Sequence, residues 1–314
     1  MRKFMGLLKR VVPIFLMVGC LLLPTLGFPY DTQPGNFKEF GGTNGEDYYS
    51  RHRNPSWVDV STSITKVTCL GTAEGFIPSW DKEGNYIPKR ASGVFGQEGS
   101  GFYVGNGYWV TNFHVINPDQ VLIQEGKGFS YIVHPIKITS RLITIGQNSN
   151  IGSVPAELIW CDQEQDLALL RVIGNWEASV DPGYRPGWTR YEGYDILYPG
   201  MSVACIVAMR DDDGDKVWTF EVRYGQIVAG KPVLPGQLPE DILPWFNMND
   251  VTMTTMIYPG DSGSPVFAFI DGKPVIIGVA RALAGYYDWQ TGIIYYYSYF
   301  TRIDRVLLFT LEVK

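Results

Sequence analysis

The stretch Tyr258–Pro265 reads YPGDSGSP and places one serine, Ser262, among glycines. It follows an apolar run at Val251–Ile257 and precedes another at Val266–Ile270. Glycine tolerates positive φ angles, so the backbone can turn sharply here and direct its amides into a site. A serine hydroxyl beside such amides suits a nucleophile for acyl transfer, because the developing oxyanion requires nearby N–H donors. A glycine-rich turn between two strands explains this stretch equally well.

A serine nucleophile needs a base to take its proton, and that base must be oriented by a third group. The chain has three histidines. His52 lies in a polar segment and is expected to be solvated, whereas His134 is expected to be an ordinary strand residue. His114 ends the strand-like run Tyr108–Val115, where a rigid scaffold presents side chains to a cleft. The candidate base is therefore His114.

The candidate acid is Asp166, because the apolar run Leu167–Leu170 follows it directly. A carboxylate at the mouth of a buried strand can be fixed by neighbouring amides and can stabilise an imidazolium. Asp162, four residues earlier, is the alternative.

The composition favours a globular protein built from strands and turns. The 314 residues are 45% apolar and 18% charged, and Gly, Pro and Tyr are abundant beside short apolar runs. This length is enough for one large core or two modest ones. The net charge of −6 and the lack of basic stripes argue against a nucleic-acid partner.

Strand-like runs fall into two groups of about six, separated by a loop-like interval from Gly174 to about Asp195, which predicts an all-β chain with two barrels or sandwiches. The groups occupy residues 63–173 and 195–300, and Ile303–Leu311 is expected to form a short closing helix. The runs are Ile64–Leu70, Gly101–Thr111, Gln120–Gln124, Ile132–Ile138, Pro155–Trp160, Leu167–Ile173, Ser202–Met209, Lys216–Val228, Val251–Ile257, Pro265–Ile270, Val275–Ala282 and Gly292–Phe300.

The N-terminal residues 1–28 combine a basic start with an apolar stretch from Val11 to Phe28. This pattern predicts an export signal or an uncleaved membrane anchor. Met17–Cys20 also resembles a bacterial lipoprotein box, which leaves lipidation of Cys20 open. Residues 29–62 predict an irregular tether. In each case the body of the protein is expected outside the cytoplasm, as a secreted, periplasmic or membrane-anchored domain.

The remaining polar clusters do not indicate a metal or a cofactor. Cys69, Cys161 and Cys205 lie in strand-like runs and are expected to be buried thiols, although a disulfide between Cys69 and Cys161 stays open. Asp211–Asp215 lacks the spaced ligands of a calcium loop and reads as a hairpin turn.

Four motifs in order resemble those of trypsin/chymotrypsin-fold serine proteases. They are GSGF at Gly99–Phe102, TNFHV at Thr111–Val115, DLALL at Asp166–Leu170 and GDSGSP at Gly260–Pro265. The first two are most similar to bacterial HtrA-type and related trypsin-like members. The resemblance covers roughly residues 65–310.

This resemblance implies two six-stranded antiparallel β-barrels of the chymotrypsin type, with the active site in the cleft between them. His114 would act as general base and then as general acid, with Asp166 as its orienter. Ser262 would be the nucleophile, and the amides of Gly260 and Ser262 would form the oxyanion hole.

The chain departs from the family in its activation and its C-terminal region. No Ile-Val-Gly-Gly-like start follows a basic residue, so burial of a freed N-terminus against Asp261 is not expected. Asp261 should instead pair with another group or cap the turn. About 50 residues follow Ser262, too few for the peptide-binding PDZ domain that HtrA proteases append.

The resemblance places Met256 at the base of the pocket for the side chain before the scissile bond, followed by Ile257. With no carboxylate there, a buried Lys or Arg would be unpaired, so apolar side chains are favoured. The alternative is that Met256 packs in the core.

Together these features predict an exported serine endopeptidase that acts on polypeptides. An α/β-hydrolase is excluded for two reasons. Its Gly-x-Ser-x-Gly motif would require glycine in place of Ser264, and its triad occurs along the chain in the order Ser, Asp, His, whereas the candidates here occur in the order His, Asp, Ser. The alternative from a different class is a catalytically silent, anchored binding module. The sequence does not indicate an oligomeric state.

Overall fold

The computed structural model describes residues 63–77, 79–119, 121–125, 129–146, 153–174, 187–188, 197–210, 218–229, 250–270, 273–288 and 293–303. The predicted leader or anchor (1–28), the tether (29–62) with His52, the Asp211–Asp215 turn and the closing helix from residue 304 onward lie outside these ranges. Within them, no helix is both long and apolar enough to cross a lipid bilayer.

The first sheet closes on itself as an antiparallel barrel. Its strand order β1-β2-β3-β7-β6-β5 is completed by pairing of β5 with β1, which gives six strands in the ring, and β4 joins β5 and β2 at the edge. A one-turn helix α1, Phe113–Ile116, follows β3. The strands are β1 Ile64–Ile77, β2 Lys89–Gly105, β3 Tyr108–Thr111, β4 Val121–Glu125, β5 Phe129–Ile145, β6 Val154–Asp162 and β7 Leu167–Val172.

The second sheet closes in the same way. Its order β12-β9-β10-β11-β14-β13 is completed by pairing of β13 with β12, again six strands, while the short β8 adds parallel to β13. The strands are β8 Gly187–Trp188, β9 Ser202–Arg210, β10 Trp218–Ala229, β11 Asp250–Met253, β12 Pro265–Ile270, β13 Lys273–Asp288 and β14 Ile293–Arg302. The predicted all-β architecture of two six-stranded barrels is confirmed.

Strand β7 shows why the apolar runs of this chain are continuous rather than alternating. Ala168 and Leu170 point into the core of the first barrel, whereas Leu167 and Leu169 point to the opposite side. There they pack against residues of the second barrel, including Phe267. Successive side chains of a strand face opposite sides, so both faces are apolar where both are buried. This shared cluster joins the two barrels, and Asp166 directly precedes its member Leu167 in the chain.

Several predicted strand bounds were wrong. The predicted strand Gly101–Thr111 is the end of β2 plus β3, separated by a turn where Asn106 and Gly107 have φ angles of 53° and 77°. Strand β11 ends at Met253 instead of Ile257. His114 lies in α1, three residues beyond the end of β3, because the chain turns helical after Thr111.

Candidate active site

His114 and Asp166 meet where β3 ends and β7 begins. These strands pair with Thr111 opposite Ala168, so the residues just beyond them are brought side by side. Asp166 has a φ of 54°, a left-handed conformation that is uncommon for residues other than glycine. Its carbonyl accepts hydrogen bonds from Asn112 Nδ2 at 2.9 Å and from the Phe113 amide at 3.1 Å. The Asp166 backbone is thus fixed against the start of α1.

The Asp166 carboxylate contacts His114 at two points. Its Oδ1 accepts the His114 backbone amide at 2.8 Å, and its Oδ2 lies 2.6 Å from His114 Nδ1. The Asp166 side chain is 8% exposed and that of His114 is 31% exposed. The carboxylate is therefore shielded, while the imidazole still reaches solvent.

The pKa of Asp166 lies below its ordinary value. Burial by itself would raise this pKa, but the attraction and hydrogen bonds of His114 and the charge of Arg281 outweigh it. Arg281 Nε lies 3.3 Å from Asp166 Oδ2. An ionised Asp166 can fix the tautomer and orientation of the imidazole.

The other acid and histidine candidates lie elsewhere. Asp162 Oδ1 accepts the Gln165 amide at 2.9 Å and so caps the turn that leads to Asp166. His134 lies in β5, where its backbone pairs with Phe76 of β1.

The turn that carries Ser262 is held by its own backbone. The Asp261 amide donates to Tyr258 O at 2.9 Å, and the Ser264 amide donates to Asp261 O at 2.9 Å. Gly260 and Gly263 both have φ angles of 93°. A Cβ on Gly263 would lie 1.9 Å from Ser100 O, so only glycine fits there. Among the described residues, no backbone carbonyl accepts the amides of Gly260 or Ser262.

Contacts of Ser262 link it to residues that neighbour the His114–Asp166 pair. The Ser100 amide of β2 donates to Ser262 O at 2.6 Å. Gly99 lies close to both Ser262 O and Val115, the neighbour of His114. A Cβ on Gly99 would lie 2.8 Å from Ser262 O and 2.5 Å from the Val115 side chain, so a larger residue would not fit there. The Ser262 hydroxyl donates to Arg281 O at 3.2 Å. The hydrogen bonds of the described residues include none between Ser262 and His114.

Arg281 is a site residue that the sequence analysis missed. Its carbonyl accepts the Ser262 hydroxyl, and its guanidinium contacts both Asp166 and Asp250. Asp250 is 1% exposed, and Thr301 Oγ1 donates to it at 3.2 Å. An arginine within the apolar run of β13 was the available signal, since a charge in a buried strand requires a partner.

Asp261 has a partner, and it also caps its own turn. Arg223 of β10 contacts Asp261 Oδ2, and the Tyr258 amide donates to the same oxygen at 2.6 Å. Asp261 is 5% exposed. Burial raises its pKa, and the charge of Arg223 opposes that rise. Arg223 was not singled out in the sequence, because nothing local to β10 indicates which acid it meets.

The two residues assigned to the substrate pocket differ in burial. Ile257 is 3% exposed and packs in the core of the second barrel, with its amide donating to Ser298 Oγ at 3.3 Å. Met256 is half-buried, and its carbonyl accepts a hydrogen bond from Arg223 at 3.3 Å. Met256 is thus the member of the pair that keeps some contact with solvent.

The described part of the chain was also searched for disulfides and for metal-binding clusters. Cys69, Cys161 and Cys205 are free thiols, so the alternative disulfide between Cys69 and Cys161 is wrong. Within the described ranges, no group of three or more His, Cys, Asp or Glu side chains could hold a metal ion.

Two closed six-stranded barrels with His114 and Asp166 on one and a glycine-flanked serine on the other define a chymotrypsin-like protein. The chain belongs to the trypsin-like peptidase domain family, whose model matches residues 99–279, more than half of its length. It is therefore a peptidase, a hydrolase of polypeptides.

Comparison with solved structures gave a match to the active form of the Rv3671c protease from M. tuberculosis. The match covers 81% of this chain and 81% of that chain, with 15% sequence identity and a TM-score of 0.42. Comparison with curated proteins gave no match.

Proposed function

We propose that this chain is a serine endopeptidase in which Ser262 is the nucleophile, His114 the general base and Asp166 its orienter. The observation that carries the proposal is the two-point contact of Asp166 with His114, at 2.8 Å and 2.6 Å, in a family of peptidases. This contact fixes both the position and the tautomer of the imidazole, which a base needs in order to serve a serine hydroxyl.

The reaction follows from these positions. Ser262 Oγ leaves the Arg281 carbonyl, turns to His114 and attacks the substrate carbonyl carbon while its proton passes to His114 Nε2. The C–N bond then breaks as that proton moves to the leaving amine, which leaves an acyl-enzyme. A water molecule deprotonated by His114 attacks the ester, releases the acid product and regenerates Ser262.

The amides of Gly260 and Ser262 are the proposed oxyanion donors. Both are uncommitted to backbone carbonyls of the described residues, so they are available for a developing negative charge. Each preorganised donor of this kind contributes about 10²–10³ in kcat in a serine protease. The positive φ of Gly260 fits the sharp turn that such donors require.

The expected preference for apolar side chains before the scissile bond rests on Met256. Its side chain is half-buried, as a residue at the base of a pocket would be, and the neighbouring Ile257 packs in the core. No acidic residue occupies either position, so a cationic substrate side chain would lose its hydration without a partner.

Export remains part of the proposal on sequence grounds alone. The basic and apolar residues 1–28 are typical of a signal or anchor, which would place the peptidase domain outside the cytoplasm, with attachment to a membrane if the segment is retained.

A catalytically silent binding module is the second candidate. One observation favours it: the Ser262 hydroxyl donates to Arg281 O at 3.2 Å instead of to His114. In this reading the substrate cleft binds a polypeptide without cleaving it.

Covalent labelling with a fluorophosphonate probe separates the two candidates. We expect label on wild-type protein and its loss in Ser262→Ala. Ser264→Ala is the matched control, because Ser264 Oγ is buried without a hydrogen-bond partner among the described residues and its removal should leave labelling intact. Peptide mapping locates the label. Absence of label from folded wild-type protein, with equal behaviour of Ser262→Ala, would favour the binding module.

A further inference from the structure

Arg281 lies at a bulge of β13. The pairing of β13 with β14 slips by one residue between Ala280 and Ala282, so Arg281 is an extra residue on its strand. A bulge bends the strand and redirects a side chain, and bulges are over-represented next to active sites. The Arg281 side chain is 14% exposed, so its charge is largely withdrawn from water. A cation in such a place requires anionic partners.

The guanidinium of Arg281 contacts two carboxylates, one from each barrel. Its Nε lies 3.3 Å from Oδ2 of Asp166, which directly precedes β7, and its Nη1 donates to Oδ2 of Asp250 in β11. Thr301 Oγ1 of β14 donates to Oδ1 of Asp250 at 3.2 Å. Asp250 is 1% exposed, and both of its oxygens are held within the second barrel. Asp250 therefore anchors the guanidinium, while Nε contacts Asp166.

Oδ2 of Asp166 is the atom at which this contact meets the candidate base. It lies 2.6 Å from His114 Nδ1, and Oδ1 accepts the His114 amide at 2.8 Å. Arg281 restrains the same carboxylate from the second barrel. A permanent cation beside an acid–imidazole pair opposes proton uptake by the pair, because the protonated pair carries one more positive charge. Arg281 thus acts on both the geometry and the charge of the pair.

The pKa of Asp166 agrees with this role. Burial raises that pKa, and the charge and hydrogen bonds of His114 together with the charge of Arg281 reverse the effect. Asp250 contacts Arg281, and its negative charge reduces the effect of a cation that itself touches Asp166 without cancelling it. Asp162 lies in the turn before Asp166, where its Oδ1 accepts a backbone amide. Among the described residues, the ion-pair partners of Asp166 are His114 and Arg281.

We propose that Arg281, anchored on Asp250, is a positioning residue that restrains the Asp166 carboxylate against His114 and opposes proton uptake by this pair, so that the peptidase stays active at lower pH. This inference rests on the proposed peptidase mechanism. The Arg281 side chain acts through Asp166, whereas its backbone carbonyl accepts the Ser262 hydroxyl. Substitution of the side chain leaves that carbonyl in place and therefore tests the side chain alone.

The central test compares the pH dependence of kcat/KM for the full chain and for its Arg281→Met/Asp250→Asn variant. The double variant is used because Arg281→Met by itself leaves two buried carboxylates without their shared cation, which can unfold the domain. We expect the acid limb of kcat/KM to move to higher pH by about 1 unit, since a contacting charge has been lost. At the optimum, kcat should fall about tenfold while KM changes less than about threefold.

Two further variants separate charge from structure. Arg281→Lys keeps a positive charge but lacks the planar group that contacts both carboxylates. Its acid limb should stay at the wild-type pH, and its kcat should lie between those of wild type and the double variant. Arg171→Met/Glu157→Gln is the matched control. It removes an ion pair whose side chains are 46% and 44% exposed and should leave the pH profile and both constants unchanged.

Two kinetic outcomes contradict the proposal. A folded double variant with the wild-type acid limb and the wild-type kcat overturns it. A lower kcat with an unmoved acid limb overturns it as well, because Arg281 would then support the fold without acting on the charge of the pair.

An acid titration of the Asp166 carboxyl carbon by NMR tests the inference without relying on catalysis. Its resonance is assigned by its loss in Asp166→Asn. The midpoint should move to higher pH in the Arg281→Met/Asp250→Asn variant, because protonation of Asp166 is no longer opposed by the cation. An unmoved midpoint overturns the inference. Failure of the proposed function is a different result, in which wild-type protein takes no fluorophosphonate label at Ser262.

Discussion

Arg281→Met removes a side chain that contacts both Asp166 and Asp250. Its backbone carbonyl, which accepts the Ser262 hydroxyl, stays in place. The two carboxylates are 8% and 1% exposed at their side chains, so the substitution leaves two buried negative charges with their shared cation gone. We therefore expect a strong loss of stability that does not depend on loss of the nucleophile's backbone partner.

The magnitude follows from the burial of the pair. Removing one partner of a buried ion pair costs about 3–5 kcal/mol. For a domain of this size, each kcal/mol shifts the melting temperature by about 2–4 °C, so Arg281→Met should melt about 6–20 °C below wild type. Adding Asp250→Asn removes the buried charge that has lost Arg281 while keeping an acceptor for Thr301. The double variant should recover to within about 1 kcal/mol of wild type.

Acid unfolding gives the second readout, through Asp166. Its folded pKa lies below the ordinary value, since His114 and Arg281 together outweigh the effect of burial. A lowered folded pKa contributes stability that is present above the unfolded pKa and is lost as the pH falls through the folded pKa. Without Arg281 the folded pKa of Asp166 rises, so the acid midpoint of unfolding should move to higher pH.

Calorimetry and acid titrations followed by circular dichroism measure both effects on wild type, Arg281→Met and the Arg281→Met/Asp250→Asn double variant. The reasoning is refuted if Arg281→Met melts within about 2 °C of wild type. It is also refuted if Asp250→Asn brings no recovery, because the cost would then not arise from loss of the Arg281–Asp250 ion pair.

Four further outcomes are expected. Asp166→Asn should fold normally yet lose about 10⁴ in kcat, as in the triad template, measured by steady-state kinetics. Gly263→Ala places a Cβ 1.9 Å from a carbonyl oxygen at a φ of 93°, so its melting temperature should fall sharply or folding should fail. Burial raises the pKa of Cys69 to about 11 and also raises that of Cys205, so mapping by mass spectrometry should find both unalkylated at pH 8 until the protein is unfolded. Met256→Asp should shift cleavage of a peptide library toward Lys and Arg, and an unchanged profile would remove Met256 from the pocket.

The sequence predicted the architecture because the relevant signals are local. Short apolar runs bounded by Gly and Pro indicate strands, and the division into two groups follows from the interval after Gly174. The errors in the predicted strand bounds have local causes as well. The predicted strand Gly101–Thr111 contains a turn at Asn106 and Gly107, where an Asn-Gly pair was a hairpin signal that the apolar run concealed.

The pairing of His114 with Asp166 could be predicted from two strand ends and the order of the motifs. The choice over Asp162 agrees with the contacts, since Asp162 caps a turn and Asp166 meets the imidazole. The catalytic roles themselves stay predictions until the labelling and kinetic measurements are made.

The sequence by itself singled out the candidate nucleophile, base and acid, because each of these residue types has a recognisable local setting. Only the tertiary structure decided what holds them. Arg223 meets Asp261 across 38 residues of chain, and Lys66 meets Gly260 across 194. Such partners are set by barrel closure and by the packing of one barrel on the other, which bring distant strands into contact irrespective of their local patterns. Asp261 thus receives its cation from a strand that local sequence could not connect to it.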